Sequence, residues 1–368
     1  MPSHRYMISG GGTGGHIFPA IAIAHALRKR EADAEFLFVG AKGRMEMEKV
    51  PAAGFKIEGL WISGLQRRLT LKNALFPVKV ISSLFKARKL INQFKPHVVI
   101  GVGGYASGPL LQVAAARGIP TLIQEQNSFP GITNRLLGKK VNRICVAYEG
   151  MERWFPKAKI AITGNPVRQE VTQINGKKSI ALGHFGLQEN RKTLLVIGGS
   201  LGARTINEGI AAGLKKLTDA GIQVIWQTGK HYEQSAKEWV EQSQLKGIAV
   251  QAFISKMDLA YAAADIVVSR AGAISISELS AVQKPAILVP SPNVAEDHQT
   301  KNAMALVNNK AALLVTDAEA PVKLVDEVVD TINNEQLLKE LTTNIGKMAF
   351  ENAADAIAGQ VIELIAGK

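Results

Sequence analysis

Two glycine-rich turns, a histidine, an arginine and a glutamate are the residues of this 368-residue chain whose types and settings could do chemistry. The apolar run Tyr6-Met-Ile-Ser9 enters Gly10-Gly-Gly-Thr-Gly-Gly-His16, and Leu194-Leu-Val-Ile197 enters Gly198-Gly-Ser-Leu-Gly-Ala-Arg204. A strand that ends in glycines and opens a helix lets backbone N–H groups approach a phosphate at the helix N-terminus. The same spacing also serves as a plain tight turn. His16 follows the first loop at the start of a helix, which suits general-base or hydrogen-bonding duty, or a purely structural one. Ser200 adds a hydroxyl to the second loop, where backbone N–H groups meet another helix start. Arg168, in Gly164-Asn-Pro-Val-Arg168, could pair with phosphate oxygens or simply lie in a linker. In Ser269-Arg-Ala-Gly-Ala-Ile-Ser-Ile-Ser-Glu278 the small residues through Ala273 permit close backbone approach. Glu278 follows about one turn into the helix, where an exposed carboxylate would accept two vicinal ribose hydroxyls or interact with the helix dipole. Asp297-His-Gln299 begins a polar cluster on a loop entering the next helix.

Several chemistries are disfavoured. A dinucleotide fold expects an acidic residue ending its second strand, but the runs Phe36-Leu-Phe-Val39 and Gln223-Val-Ile-Trp226 end in Gly40 and Gln227. Neither glycine loop continues into Gly-Lys-Ser/Thr, so a P-loop is absent. There is no Asp-x-Asp, the seven histidines form no His-x-x-x-His pair, and Cys145 is the sole cysteine. Disulfide frameworks and multi-cysteine clusters are thus excluded and a divalent-metal centre is disfavoured. Phosphate charge would be met by backbone N–H groups, arginine or lysine.

The elements that must position these residues alternate. Strand-like runs fall at 5–9, 35–39, 98–102, 121–123 and 143–146, then at 193–197, 223–226, 266–268 and 286–289. Amphipathic stretches lie between or beyond them, at 19–30, 77–94, 203–219, 274–282 and 352–365. Near-continuous apolar strands alternating with helices predict α/β architecture with parallel sheets covered on both faces. The alternation restarts at the second glycine loop, which predicts two Rossmann-like domains joined near Ile162-Thr-Gly-Asn-Pro166.

Taken in order, Gly11-Gly-Thr-Gly-Gly-His16, Gly103-Gly-Tyr105, Glu125-Gln-Asn127, Gly164-Asn-Pro-Val-Arg168, Gly198-Gly-Ser200, Gly272-Ala273 with Ser277-Glu278, and Asp297-His-Gln299 resemble one family. That family is the peptidoglycan N-acetylglucosaminyltransferases of glycosyltransferase family 28, which convert lipid I to lipid II. The resemblance runs from about residue 6 to the end. It implies a GT-B fold, two Rossmann-like domains with parallel sheets facing across a cleft, and no cofactor or metal. The implied domains are an acceptor- and membrane-binding domain over 1–163, a UDP-N-acetylglucosamine-binding domain over 164–345, and a helical segment over 346–368 that packs back on the first. By the same resemblance Glu278 holds the ribose, with the Ile254 backbone, Ala273 and Gln299 around the donor. Ser200 and Arg168 address the diphosphate, and Thr13, Gly14, Gly15 and Asn127 face the donor from the other domain. The family often carries histidine before Glu-Gln-Asn, whereas this chain has Gln124, which leaves His16 the better acid/base candidate. Other readings are a different GT-B activity, either glycolipid synthesis or sugar-nucleotide epimerisation, and a basic polyanion-binding module.

The charge narrows the partners. The chain carries a formal +13, yet residues 1–163 alone hold 24 Lys and Arg against 9 Asp and Glu, and the remainder is slightly acidic. Between Glu58 and Glu125 lie Arg67, Arg68, Lys72, Lys79, Lys86, Arg88, Lys89, Lys95 and Arg117 with no acid among them. A helix over 77–94 would turn Val80, Ile81, Leu84 and Ile91 to the core and Lys79, Lys86 and Lys89 outward, with Leu75 and Phe76 on the preceding loop. Apolar residues beside cations suit an anionic membrane surface. No nucleic-acid-binding motif accompanies the charge, so nucleic acid is not an expected partner. No run reaches the ~18 apolar residues of a membrane span, and the N-terminus shows no signal-peptide core. The expected location is peripheral, on the cytoplasmic face of a bacterial inner membrane.

Overall fold

A computed structural model of the chain describes residues 3–64, 75–199 and 201–367. The chain divides into two compact units, one formed by Met1–Val167 with Phe350–Lys368 and the other by Arg168–Ala349.

The first unit is a seven-stranded sheet. Its strands are β1 (Arg5–Ser9), β2 (Glu35–Ala41), β3 (Lys56–Leu60), β4 (Val98–Gly101), β5 (Thr121–Glu125), β6 (Arg143–Val146) and β7 (Ile160–Ile162), in the order β3-β2-β1-β4-β5-β6-β7. Every pairing is parallel, with Ile8 of β1 opposite Phe38 on one side and Ile100 on the other. The inner strands are apolar at successive positions because both faces are covered. On one face the helices Phe76–Phe94, Ser107–Ala116 and Ile132–Gly138 pack over Met7, Val99 and Ile123. On the other, Gly14–Arg30 and the chain's last helix, Ala353–Ala366, bury Ile23, Leu27, Ile357 and Val361 beside Tyr6 and Ile8. Arg30 also pairs with Asp355 on the surface of that contact.

The second unit repeats the plan with β8 (Thr193–Ile197), β9 (Gln223–Gln227), β10 (Ile248–Gln251), β11 (Ile266–Ser269), β12 (Ala286–Leu288) and β13 (Leu313–Leu314), in the order β10-β9-β8-β11-β12-β13. All five pairings are parallel. Arg204–Asp219 and Ala320–Ile332 cover one face, while Lys178–Phe185, Met257–Ala263 and Ala273–Ala281 cover the other.

Two local expectations change. The first helix begins at Gly14, so Pro19 is inside it and His16 belongs to its first turn. In Phe76–Phe94 the buried stripe is Ser83, Ala87, Leu90 and Ile91. Small Ser83 and Ala87 bring that stripe close to the sheet, rotating Ile81 outward to 55% exposure, where a core position was expected. Phe85 is 71% exposed on the same outer face. Lys86 turns back to Glu58 and the Gly59 carbonyl. Arg67, Arg68 and Lys72 lie outside the described residues.

Because Ile357 is fully buried, Ile357→Ala should cost about 2–4 kcal/mol, measured as a lowered urea midpoint of the N-terminal unit. A change under about 0.5 kcal/mol would mean that the last helix is not part of that core.

Candidate active site

In each sheet the strand order reverses once, between β1 and β4 and between β8 and β11. Connections leave in opposite directions there, which opens a crevice outside the strands' carboxyl ends. All the glycine loops emerge at these two points.

In the first unit the loop after β1 is held from three sides. Gly104 has φ +87°, and a Cβ on it would lie 2.4 Å from the Gly11 carbonyl oxygen. The neighbouring Gly103 leaves room for the His16 ring, whose Cδ2 would lie 2.6 Å from a Cβ there. From below, the fully buried Glu46 accepts the Gly12 N–H on Oε2 and the Ala41 N–H on Oε1, each at 3.0 Å. The Thr13 carbonyl then accepts the His16 and Ile17 N–H groups to start the helix. His16 Nδ1 lies 3.1 Å from the Gly11 carbonyl and 3.2 Å from Thr13 Oγ1. A carbonyl can only accept, so Nδ1 carries the proton and Nε2 of the neutral ring carries the lone pair. Gly14 and Gly15 open the helix beside Thr13.

Asn127 follows β5. Its N–H and Nδ2 both donate to Glu125 Oε1, while Glu125 Oε2 accepts from Gly131 N–H and Asn134 Nδ2. Burial pushes the Glu125 carboxyl up, and these donors pull it back only in part. Gln124 is buried, donating to Asn165 Oδ1 at 2.8 Å, and Asn165 Nδ2 in turn donates to the Gln126 carbonyl. An amide there orders the loop and exchanges no proton.

The second unit holds a cavity of about 600 Å³ at its reversal point, lined among others by Gly198, Gly199, Gly272, Ser275 and Gln299. Gly202 has φ +77°, and a Cβ on it would meet the Thr228 carbonyl oxygen at 2.0 Å, so this loop too lies directly on backbone. Arg270 forms the polar wall. Its guanidinium donates to the Val289 and Pro290 carbonyls and to Thr205 Oγ1, each at 3.1 Å, and pairs with Asp317. Gln299 enters the cavity with Oε1 accepting the Ser291 N–H at 2.9 Å. Ala273 opens the helix whose N-cap, Gly272, borders the cavity, so that helix end presents its positive dipole to the space. Among the described residues no three His, Cys, Asp or Glu side chains converge as metal ligands.

Glu278 departs from expectation. It is the sixth residue of its helix and is buried rather than exposed, because it faces the helix Met257–Ala263. Tyr261 donates to its Oε2 at 3.2 Å and Arg168 Nη2 lies 3.4 Å from Oε1. Burial raises the carboxyl's pKa, against the pull of Arg168 and Tyr261. Arg168 therefore meets a carboxylate here, and neither residue lines the cavity. The Ile254 N–H donates to Gln227 Oε1 at 2.9 Å, and Gln227 Nε2 donates to the Gly199 carbonyl at 3.0 Å, so one buried amide ties the Ile254 segment to the glycine loop. Ser200 lies outside the described residues. Sequence reasoning missed Glu46, Gln227, Tyr261, Arg270 and Asp317. For Arg270 its place beside Ala271-Gly-Ala273 was a usable signal; for Glu46 there was none.

Two nucleotide-type reversal points with glycine turns, one bordered by a histidine and the other by a polar cavity, are the layout of a GT-B sugar transferase. The family 28 glycosyltransferase N-terminal domain matches residues 6–146, and the family 28 C-terminal domain matches residues 193–357. The UDP-N-acetylglucosamine–N-acetylmuramyl-(pentapeptide) pyrophosphoryl-undecaprenol N-acetylglucosamine transferase of Cytophaga hutchinsonii is 56% identical over 98% of this chain and 97% of its own. The transferase of the same name from Phocaeicola vulgatus is also 56% identical, over 98% and 96%. A crystal structure of Acinetobacter baumannii MurG superposes with a TM-score of 0.79 at 26% identity, over 98% of this chain and all of that one. The chain belongs to glycosyltransferase family 28 and, within it, to these N-acetylglucosamine transferases.

Arg270→Ala would leave Asp317 without its cation and the Val289 and Pro290 carbonyls without their guanidinium donor inside the wall of the cavity, with only the Thr205 hydroxyl still donating to Asp317. The expected loss is about 3 kcal/mol in chemical denaturation. A loss below about 1 kcal/mol would show that the wall holds without it.

Proposed function

We propose that this enzyme transfers N-acetylglucosamine from UDP-N-acetylglucosamine to the 4-hydroxyl of the N-acetylmuramoyl-pentapeptide of lipid I, with inversion, giving lipid II and UDP. The observation that carries this is His16, held by the Gly11 carbonyl as the Nδ1–H tautomer at a reversal point, in a chain matching transferases so named along 98% of its length. The acceptor oxygen attacks C1 as the bond from C1 to the diphosphate breaks. Its proton passes to His16 Nε2, and UDP leaves with the bonding electrons.

Charge growing on the diphosphate is met by the glycine-loop N–H groups, by the helix starts at Arg204 and Ala273, and by the Ser200 hydroxyl. Glu278 accepts the ribose hydroxyls, and Arg168 moves from it toward the diphosphate when the donor arrives. With the Ile254 N–H engaged by Gln227, the base is met by the Ile254 carbonyl. Gln299 and Ala273 contact the sugar side. Thr13, Gly14, Gly15 and Asn127 complete the contacts to UDP-N-acetylglucosamine. A sugar-nucleotide epimerase on the same fold would need no acceptor, so UDP release strictly dependent on lipid I separates the readings.

The N-terminal unit rests on an anionic membrane. Val78, Ile81 and Phe85 stand exposed on one helix, beside a groove of about 450 Å³ that Arg88 and Arg117 border. No described helix is long and apolar enough to cross a membrane.

In a coupled assay of UDP release, His16→Ala should lower kcat by about 10²-fold or more, and Glu278→Ala should chiefly raise the donor KM. Near-normal turnover in both would sink the site assignment. The ionised carboxyl of Glu278 accepts a ribose hydroxyl on each oxygen more strongly than the protonated form, so UDP affinity should fall as pH drops through its raised pKa. Arg168→Ala removes a cation that favours the ionised form, so the decline should begin at higher pH in titration calorimetry. Phe85→Asp should reduce sedimentation with anionic vesicles while leaving UDP binding unchanged; equal loss of both would contradict the assignment of this face.

A further inference from the structure

Glu46 is a fully buried carboxylate that nothing in the transfer reaction uses directly. Its contacts nevertheless lead to His16. Oε2 accepts the N–H of Gly12, and the carbonyl of Gly11 accepts from His16 Nδ1. That N–H and that carbonyl are the two ends of a single peptide group. In a trans peptide they point in opposite directions, so Glu46 stands on one side of the Gly11–Gly12 amide and His16 on the other.

We infer that Glu46 is a positioning residue that acts on His16 through the Gly11–Gly12 peptide, forming a carboxylate–peptide–imidazole relay. The inference rests on His16 taking the acceptor's proton. A carboxylate on the N–H end polarises the amide and makes its carbonyl oxygen a stronger acceptor. The stronger acceptor holds Nδ1–H in place and stabilises the imidazolium that forms when Nε2 is protonated. This is the service a carboxylate gives a catalytic histidine by direct contact, with one amide interposed.

Glu46 also joins the Gly12 loop to the end of β2 through the Ala41 N–H, and the neighbouring chain makes room for its carboxylate. A Cβ at Gly11 would lie 2.2 Å from its Oε1, and one at Gly40 would lie 2.6 Å from its Cγ. Two glycines are thus needed to admit a carboxylate, where an apolar side chain would fill the space without a buried charge. Other titratable groups on neighbouring elements turn elsewhere. Lys42, Arg44, Glu48, Lys49, Lys56 and His25 are exposed. Glu58 pairs with Lys86, and Asp355 pairs with Arg30 at the opposite end of the His16 helix. The Tyr105 ring lies against Gly64.

The test combines lipid I-dependent kcat against pH, at saturating donor, with a ¹⁵N NMR titration of His16 in the full-length wild type, Glu46→Gln and Glu46→Asp. The wild type should show the Nδ1–H tautomer. The negative charge favours imidazolium, so Glu46→Gln should lower the His16 midpoint, and the acid limb of kcat with it, by about half a pH unit or more. Its plateau kcat should fall roughly tenfold with an unchanged donor KM. Glu46→Asp, which keeps the charge, should stay closer to the wild-type midpoint. An unmoved midpoint in Glu46→Gln would overturn the relay. So would an Nε2–H tautomer in the wild type, which needs no variant to fold. A midpoint that moves while the kcat limb stays put would uphold the relay and overturn His16 as the base.

Discussion

Backbone resting on backbone is the contact on which the rest of this molecule depends. At the first reversal point Gly104 lies on Gly11, and beside the second, between the loops that follow β8 and β9, Gly202 lies on Thr228 and Gly229 on Leu201. No side chain fits at any of these positions, and each glycine has positive φ. The contacts bring loops from adjacent strands together at the carboxyl edge of each sheet, across the reversal in the first unit and next to it in the second. Everything chemical is then hung on main-chain groups whose places are already set. Helix starts, carbonyl acceptors and the His16 ring take their positions from those few touching peptides.

Buried carboxylates finish what the glycines begin, and each is handled differently. Glu46 takes two backbone N–H groups and meets no cation within its loop. Glu125 takes two backbone and two amide donors and organises the turn that carries Asn127. Glu278 meets a core-buried phenol and a partly exposed guanidinium, and the guanidinium is on a side chain able to swing. The first two are built into fixed main chain and suit preorganisation. The third has one partner, Arg168, that an arriving ligand can replace.

Much of the fold was legible because parallel strands buried on both faces are unbroken apolar runs. All nine strands expected from such runs are present, most within one or two residues at either end. The strands that escaped notice are β3, β7, β10 and β13, the four edges of the two sheets. An edge strand is covered on fewer sides, so Lys56-Ile-Glu-Gly-Leu60 and Ile248-Ala-Val-Gln251 carry polar residues, and β13 spans only Leu313–Leu314. Asn127 and the role of Gln299 came through the family resemblance, whereas a residue at a strand end or helix start could be found from its setting, as His16 was. Glu46 could not, since its role depends on space left by Gly11 and Gly40 on other segments. The burial of Glu278 was hidden for a related reason, because Tyr261 is supplied by a different helix. Ile81 was misplaced because period alone cannot tell which of two adjacent faces lies nearer the sheet.

The last helix gives the chain an order of assembly. The second unit is one continuous stretch, Arg168–Ala349, whereas the first needs Phe350–Lys368 to close its core over Tyr6 and Ile8. On a ribosome the N-terminal sheet therefore waits, with one face partly bare, until the segment from Phe350 onward is made, while the later-made unit can complete itself first. A chain lacking the helix Ala353–Ala366 would leave an apolar face over Tyr6 and Ile8 unfinished, the kind of surface that favours aggregation. Only a chain that includes Ala353–Ala366 closes that face, so the N-terminal core is completed by a segment made after the whole of the second unit.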